Sequence, residues 1–326
     1  MFNQPLERMF VRSHTRHMTG LVTAAVAALL MTGCSSTAQG GDGGESLTVY
    51  ATTGYLADAV ANIAPEAAVT TMVGPGGDPH TYQPSTRDIE KIQSADVVLW
   101  NGLHLEAQMT ELLKARGDRQ LAVGDELPKE LLLAWPETDD AGNPLHDPHV
   151  WNSPDAWSLV VGYVADKLSE INPENATDYQ TNATAYQKEI AEAAADVEKL
   201  LASVTEPRIL ITGHDAFNYF GHSYNLAVHA TDFVSTEAAL SAGELSKLAR
   251  MIADNQVPVI FQDNQANPQA ITSLREAVRA LGWNVEISGE ELYADSLGAD
   301  HGVDTYLGVF RHNAQSVADA LGEETP

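Results

Sequence analysis

Short apolar runs separated by stretches of helical periodicity recur along most of this 326-residue chain. In the first half they fall at residues 46–53 (SLTVYATT), 68–73, 96–101 (DVVLWN) and 120–123. In the second half they return at 208–212 (RILIT), 227–230, 258–262 (PVIFQ) and 284–287. Runs of four to eight apolar and β-branched residues predict strands. Strand and helix in alternation predict mainly parallel sheets covered by helices on both faces. The alternation comes in two blocks, so the expected fold class is α/β with two such lobes.

Between the blocks a long helical pattern runs from Pro173 to about Ser203. Asn172 reads as its N-cap and Pro173 as its first helical residue. Tyr179, Tyr186, Ile190, Val197 and Leu201 share one stripe, with Glu189, Glu192, Asp196 and Lys199 largely off it. About 30 helical residues span roughly 45 Å, enough to join two lobes with one stiff rod that limits hinge motion. The expected organisation is a leader at 1–33, a tether at 34–45, a first lobe at 46–171, a linking helix at 172–204 and a second lobe at 205–326.

The N-terminus does not fit a folded domain. Arg8, Arg12 and Arg16 precede an apolar run at 21–31, too short to span a bilayer as a mature helix. It ends in Leu30-Met31-Thr32-Gly33-Cys34, which resembles a bacterial lipobox, where the cysteine becomes the lipidated first residue. Cys34 is the single cysteine, so neither a disulfide nor a thiolate metal site is expected. The Gly-rich stretch that follows reads as a flexible tether. These features predict an extracytoplasmic protein, lipid-anchored to the outer face of the bacterial cytoplasmic membrane.

Apolar residues make up 44% of the chain and charged residues 19%, an ordinary globular balance. The net charge of −27 argues against nucleic acid as a partner and favours attraction of cations.

The candidate chemistry lies where strands end, because ligands of α/β sheets collect at their carboxyl edges. Asp-Pro-His occurs twice, at Asp78-Pro79-His80 and at Asp147-Pro148-His149. Proline fixes its own φ and extends the residue before it, so each histidine leaves a stiff turn, as a metal ligand should. His80 follows the second predicted strand, and His149 follows the fourth through an acidic loop at 136–140. His214 ends the first strand of the second block, and Asp295 follows its last. All four could face one cleft between the lobes. His146, Asp263 and Glu237 are auxiliary candidates, with Asp263 a possible anchor for a ligand imidazole. His301 is a further candidate for transient metal contact, while His104, His222, His229 and His312 read as surface or packing residues.

Several of these stretches together resemble one family. Gly77-Asp78-Pro79-His80-Thr81-Tyr82-Gln83-Pro84, continuing to Asp88, Asn101-Gly102 and Leu105-Glu106, is similar to a signature of the TroA-like zinc/manganese-binding solute-binding lipoproteins of ABC importers. Asp147-Pro148-His149-Val150-Trp151 and Gly213-His214-Asp215-Ala216-Phe217 resemble its second and third signatures, and Asp295-Ser296 with Tyr306…Arg311-His312-Asn313 its ending. The resemblance implies a metal site between two lobes, with His80, His149, His214 and Asp295 as ligands. It also implies an ABC permease and its ATPase as partners, with the protein acting as a monomer. Members with His at the position of His214 look zinc-like and those with Glu manganese-like, and imidazole does suit Zn²⁺ while carboxylate suits Mn²⁺. The expected cargo is Zn²⁺, with Mn²⁺ or Fe²⁺ as alternatives. Glu106 would be a surface charge for docking the transporter.

Two other functions fit the sequence less well. A secreted zinc-dependent hydrolase needs an open metal position and a separate general base, and neither His-Glu-x-x-His nor Gly-x-Ser-x-Gly occurs. A surface adhesin with a structural metal would need the ion to fold. The sequence therefore points to a binding protein, not an enzyme.

Overall fold

Four short parallel strands, β1 (Thr48–Ala51), β2 (Ala68–Thr71), β3 (Val97–Trp100) and β4 (Gln120–Ala122), form a sheet in the order β2-β1-β3-β4. The computed structural model describes residues 46–139, 141–233 and 240–322. Helices α1 (Gly54–Ile63), α2 (Thr86–Ser94) and α3 (Thr110–Lys114) connect these strands. An antiparallel hairpin, β5 (Ala134–Thr138) with β6 (Pro144–His146), then leads to α4 (Pro154–Ile171). This hairpin corrects the expected acidic loop: Pro136, Glu137 and Thr138 lie within β5.

The second lobe repeats the parallel plan. β7 (Ile209–Thr212) pairs with β8 (Ala227–Ala230), and β9 (Val259–Asp263) pairs with β10 (Glu286–Leu292). β7 lies beside β9, and α6 (Asn218–Tyr224), α7 (Ala242–Asp254), α8 (Pro268–Ala280) and α9 (Tyr306–Leu321) complete the lobe. Many helix starts follow directly from the sequence. Ser85 and Ser241 form capping boxes with Asp88 and Glu244, and Ser153 and Asn267 cap helices that begin with proline.

The long helix, α5 (Ala176–Leu201), runs unbroken for 26 residues, about 39 Å. Its buried stripe is Tyr179, Ala183, Tyr186, Ile190, Ala193, Val197 and Leu201, spaced three and four apart. That stripe packs on α1 and α4 of the first lobe and on α9 of the second. Its start differs from the expectation. Pro173–Asn175 form a 3₁₀ turn ahead of it; Asn172 stands at the N-cap of that turn with Pro173 first, but its side chain makes no capping bond and its amide donates to the Tyr179 hydroxyl, 3.0 Å away.

One buried cluster extends through α1, α4, α5, α6 and α9 and so belongs to both lobes, while each lobe keeps a smaller core of its own. Tyr55 and Trp151 stack at 4.9 Å within it, and both donate to the Ala294 carbonyl at 2.9 Å. Among the described residues no helix is long and apolar enough to cross a membrane. Cys34, the leader and the tether lie outside the described residues, as does Glu237.

Candidate metal centre

The four carboxyl-edge residues converge between the lobes. His80 comes from the loop after β2, His149 from the turn after β6, His214 from the end of β7 and Asp295 from the turn after β10. One ligand atom from each lies within 4.8 Å of the others. His149 Nε2 is 3.2 Å from both His80 Nε2 and His214 Nε2. Asp295 Oδ2 is 3.5 Å from His80 Nε2 and 3.2 Å from His214 Nε2, and Oδ1 is 3.4 Å from His149 Nε2. A tetrahedral ion with bonds of about 2.0–2.1 Å separates its ligand atoms by about 3.3–3.4 Å, so these spacings fit a single small cation.

Backbone hydrogen bonds explain how the histidines are presented. In both Asp-Pro-His turns the Asp carboxylate accepts from the amide two residues on, at 2.8 Å for His80 and 3.0 Å for His149. Asp147 does more: its Oδ1 lies 2.7 Å from His149 Nδ1. That bond assigns the proton of a neutral ring to Nδ1 and aims the bare Nε2 at the cluster. The sequence reading credited this role to Asp263 and missed Asp147, although Asp147 stands inside the motif. Asp263 instead receives the backbone amides of Gly213 and His214, at 2.8 and 2.9 Å.

The electrostatics couple the four groups to one another. His80, at 4% exposure, is the least buried of the four, and the others are at 0%. Burial pushes the His80 imidazole down to about 3, with Asp295 opposing and the two neighbouring histidines reinforcing. Burial would lower His214 too, but the adjoining Asp295 carboxylate prevails and pushes it up to about 9. Burial works to raise Asp295, yet His214 and His149 hold it below the usual carboxylate range. Neither Asp295 oxygen receives a backbone amide or hydroxyl. Such buried acceptors need a cation or proton among them, since unpaired burial is costly.

The remaining candidates lie apart. His146 is half-buried in β6 and does not join the cluster. His301 is fully exposed, 3.9 Å from Asp304. His104, His222 and His229 are exposed, and His312 Nε2 lies 2.8 Å from the Glu291 carbonyl. Glu106 overturns its expectation as a docking charge. It is 1% exposed and accepts from Thr52 Oγ1 (2.6 Å) and the amides of Asn101 (2.8 Å) and Gly102 (3.1 Å).

Two α/β lobes with a buried, ligand-rich cluster between them define a two-lobed solute-binding protein. Residues 49–320 match the family described as zinc-uptake complex component A, periplasmic, and the chain belongs to that family. It is 33% identical over 308 residues to the manganese-binding lipoprotein MntA of Bacillus subtilis, covering 93% of this chain and 99% of the relative. The periplasmic zinc-binding protein TroA of Treponema pallidum superposes with a TM-score of 0.79 at 35% identity, covering 85% of this chain and all of that one. The iron-binding protein YfeA of Yersinia pestis is 27% identical over 302 residues, 92% of this chain and 94% of its own. The family is one of solute-binding components of ABC transporters, not of enzymes.

Proposed function

We propose that this protein captures a divalent transition-metal ion outside the cytoplasm and delivers it to an ABC permease driven by its ATPase. The ligands in this reading are His80, His149, His214 and Asp295. The observation that carries it is the convergence of three Nε2 atoms and a carboxylate, all buried, at the spacing of a small ion's coordination shell. Four protein ligands leave no position for an activated water, which suits carriage and release better than hydrolysis.

Zn²⁺ is the favoured cargo. Three imidazoles and one carboxylate match its preferences, whereas Mn²⁺ and Fe²⁺ favour more oxygen. Those ions become competitive if Asp295 binds through both oxygens, each of which faces an imidazole. The named relatives divide among manganese, zinc and iron, so the preference rests on ligand chemistry. We further propose lobes at 46–171 and 205–326 joined by the helix at 172–204, a monomeric state, and lipidation at Cys34 that holds the protein on the membrane's outer face through the tether at 34–45.

The test is metal content and competitive affinity of the fragment beginning after Cys34, as wild type and as His214→Glu. Near one equivalent of tightly held zinc, with the substitution moving preference toward manganese, is the expected result. Tighter manganese in the wild type would overturn the metal assignment, and the absence of any stoichiometric metal would overturn the function.

A further inference from the structure

Three consecutive side chains at the carboxyl end of β9 grip the segments that carry three of the four proposed ligands, yet none of them is a ligand. Asp263 Oδ2 accepts from the amides of Gly213 and His214. Asn264 brackets Asp295: its Oδ1 accepts from the Ala294 amide (2.8 Å), and its Nδ2 donates to the Ser296 carbonyl (2.9 Å) and hydroxyl (2.8 Å). Gln265 Nε2 reaches across to the first lobe and donates to the Gly77 carbonyl at 2.8 Å, three residues before His80. The Ser296 hydroxyl, itself held by Asn264, accepts from the Gly76 amide at 2.9 Å. The turn is locked by Asp263 Oδ1 accepting from the Gln265 amide at 3.1 Å. Packing leaves little slack, because a Cβ at Gly213 would lie 2.9 Å from Asp263 Oδ2 and collide with Ala266.

We infer that Asp263-Asn264-Gln265 is a positioning hub that sets the mutual placement of His214, Asp295 and His80 and ties the His80 loop to the second lobe. This rests on the reading of those residues as metal ligands. The hub divides its labour. Asp263 and Asn264 act within the second lobe and fix coordination geometry, whereas Gln265 spans the cleft and resists its opening. Asn264 is therefore a determinant of affinity and Gln265 of the release rate.

The experiment uses the full chain in detergent, loaded with Zn²⁺ for affinity and release kinetics and with Co²⁺ for its geometry-sensitive absorption. Asn264→Ala is expected to lower zinc affinity by about 10–100-fold, the usual effect of losing an outer partner, and to change the cobalt spectrum. Gln265→Ala is expected to speed release by about five- to tenfold, the worth of one net hydrogen bond, with the association rate and the cobalt spectrum unchanged. Thermal unfolding of the metal-free proteins separates positioning from folding. Wild-type affinity and spectrum in Asn264→Ala, or losses that merely follow a lowered melting temperature, would overturn the hub alone. Failure of the wild type to take up metal would overturn the hub together with the function it rests on.

Discussion

The two Asp-Pro-His turns share a sequence and a first hydrogen bond, and they differ in almost everything around it. At the second turn, Asp147 Oδ1 also accepts from the His149 ring Nδ1–H, and its Oδ2 accepts from Asn218 at 3.0 Å. Its carbonyl accepts from the Tyr219 hydroxyl (2.9 Å), its amide donates to Leu133 (3.0 Å), and the next carbonyl accepts from Asn101 (2.9 Å). Both lobes thus brace His149. The first turn rides on Gly74-Pro75-Gly76-Gly77, in which Gly76 adopts φ +71°, where a side chain would be strained. Its loop meets the other lobe through the Gly76–Ser296 and Gly77–Gln265 bonds. A stiff tripeptide can present a ligand, but its surroundings decide whether that ligand is fixed or deliverable. If the two histidines hold metal as proposed, His149 would be the fixed member and His80, tied across the cleft by those two bonds, the one whose position depends on the lobes staying together.

The sharpest way to break this contrast is to remove each imidazole. His80→Ala and His149→Ala should each weaken zinc binding by more than the roughly 10–100-fold typical of an outer partner. Only His149→Ala should also lower the melting temperature of the metal-free protein, because it strips a partner from buried Asp147. His146→Ala should change affinity by no more than about twofold, the scale of a substitution away from the machinery. Equal loss of metal-free stability in the two ligand variants would erase the distinction. Loss of affinity in His146→Ala would bring the β5–β6 hairpin into the site.

The frame beneath the fixed turn also carries a pH signature. Glu106 holds the amide of Asn101, whose side chain holds Pro148. Burial raises the Glu106 carboxyl from 4.5 to about 7, against the pull of the Thr52 hydroxyl and the backbone amides around it. The folded protein then binds this proton more tightly than the unfolded chain does. The resulting stability is fully present below about pH 4.5 and is lost as pH rises through 7, a change of about 3 kcal/mol. Urea unfolding of the metal-free protein between pH 4.5 and 8 should show that loss in wild type but not in Glu106→Gln, after subtracting the slope common to both. Identical pH profiles would mean the carboxylate stays ionised on its donors.

Much of this was legible beforehand, and what was not has a physical reason. The parallel strands announce themselves because runs such as Val97–Trp100 are buried throughout and need no polar alternation. The β5–β6 hairpin hides because Pro136 and Glu137 lie on exposed positions, where β propensity says little. β10 runs to Leu292 through Gly289, Glu290 and Glu291, held by its register on β9 after a shift and not by any apolar pattern. The four converging residues stood at strand ends, where residue type alone narrows the search. Asp263, Asn264 and Gln265 stand at a strand end too, but residue type did not single out the last two. Asn264 and Gln265 act through bonds to distant backbone groups, which leave no spacing to read, and Glu106 looks like any loop glutamate until its donors are found around it.

The subtler test exchanges each turn's aspartate. Asparagine keeps an oxygen that can accept the amide two residues on, so the turn itself survives in both substitutions. At Asp78 that backbone bond and the Thr81 hydroxyl, 2.9 Å from Oδ2, describe what the side chain holds within its own turn. An asparagine amide can keep both of these contacts, and Asp78→Asn should stay within about threefold of wild-type zinc affinity, less than one net hydrogen bond. At Asp147 the same oxygen also faces His149 Nδ1, so neutralising it withdraws the charge that strengthens the ring's other nitrogen as a donor to metal. Asp147→Asn should cost about tenfold, and Asp147→Ala nearer a hundredfold, because it removes the acceptor as well as the charge. Competition titrations would read the difference directly. If Asp78→Asn cost as much as Asp147→Asn, the first turn would be braced as rigidly as the second, and the division into a fixed and a deliverable histidine would fail.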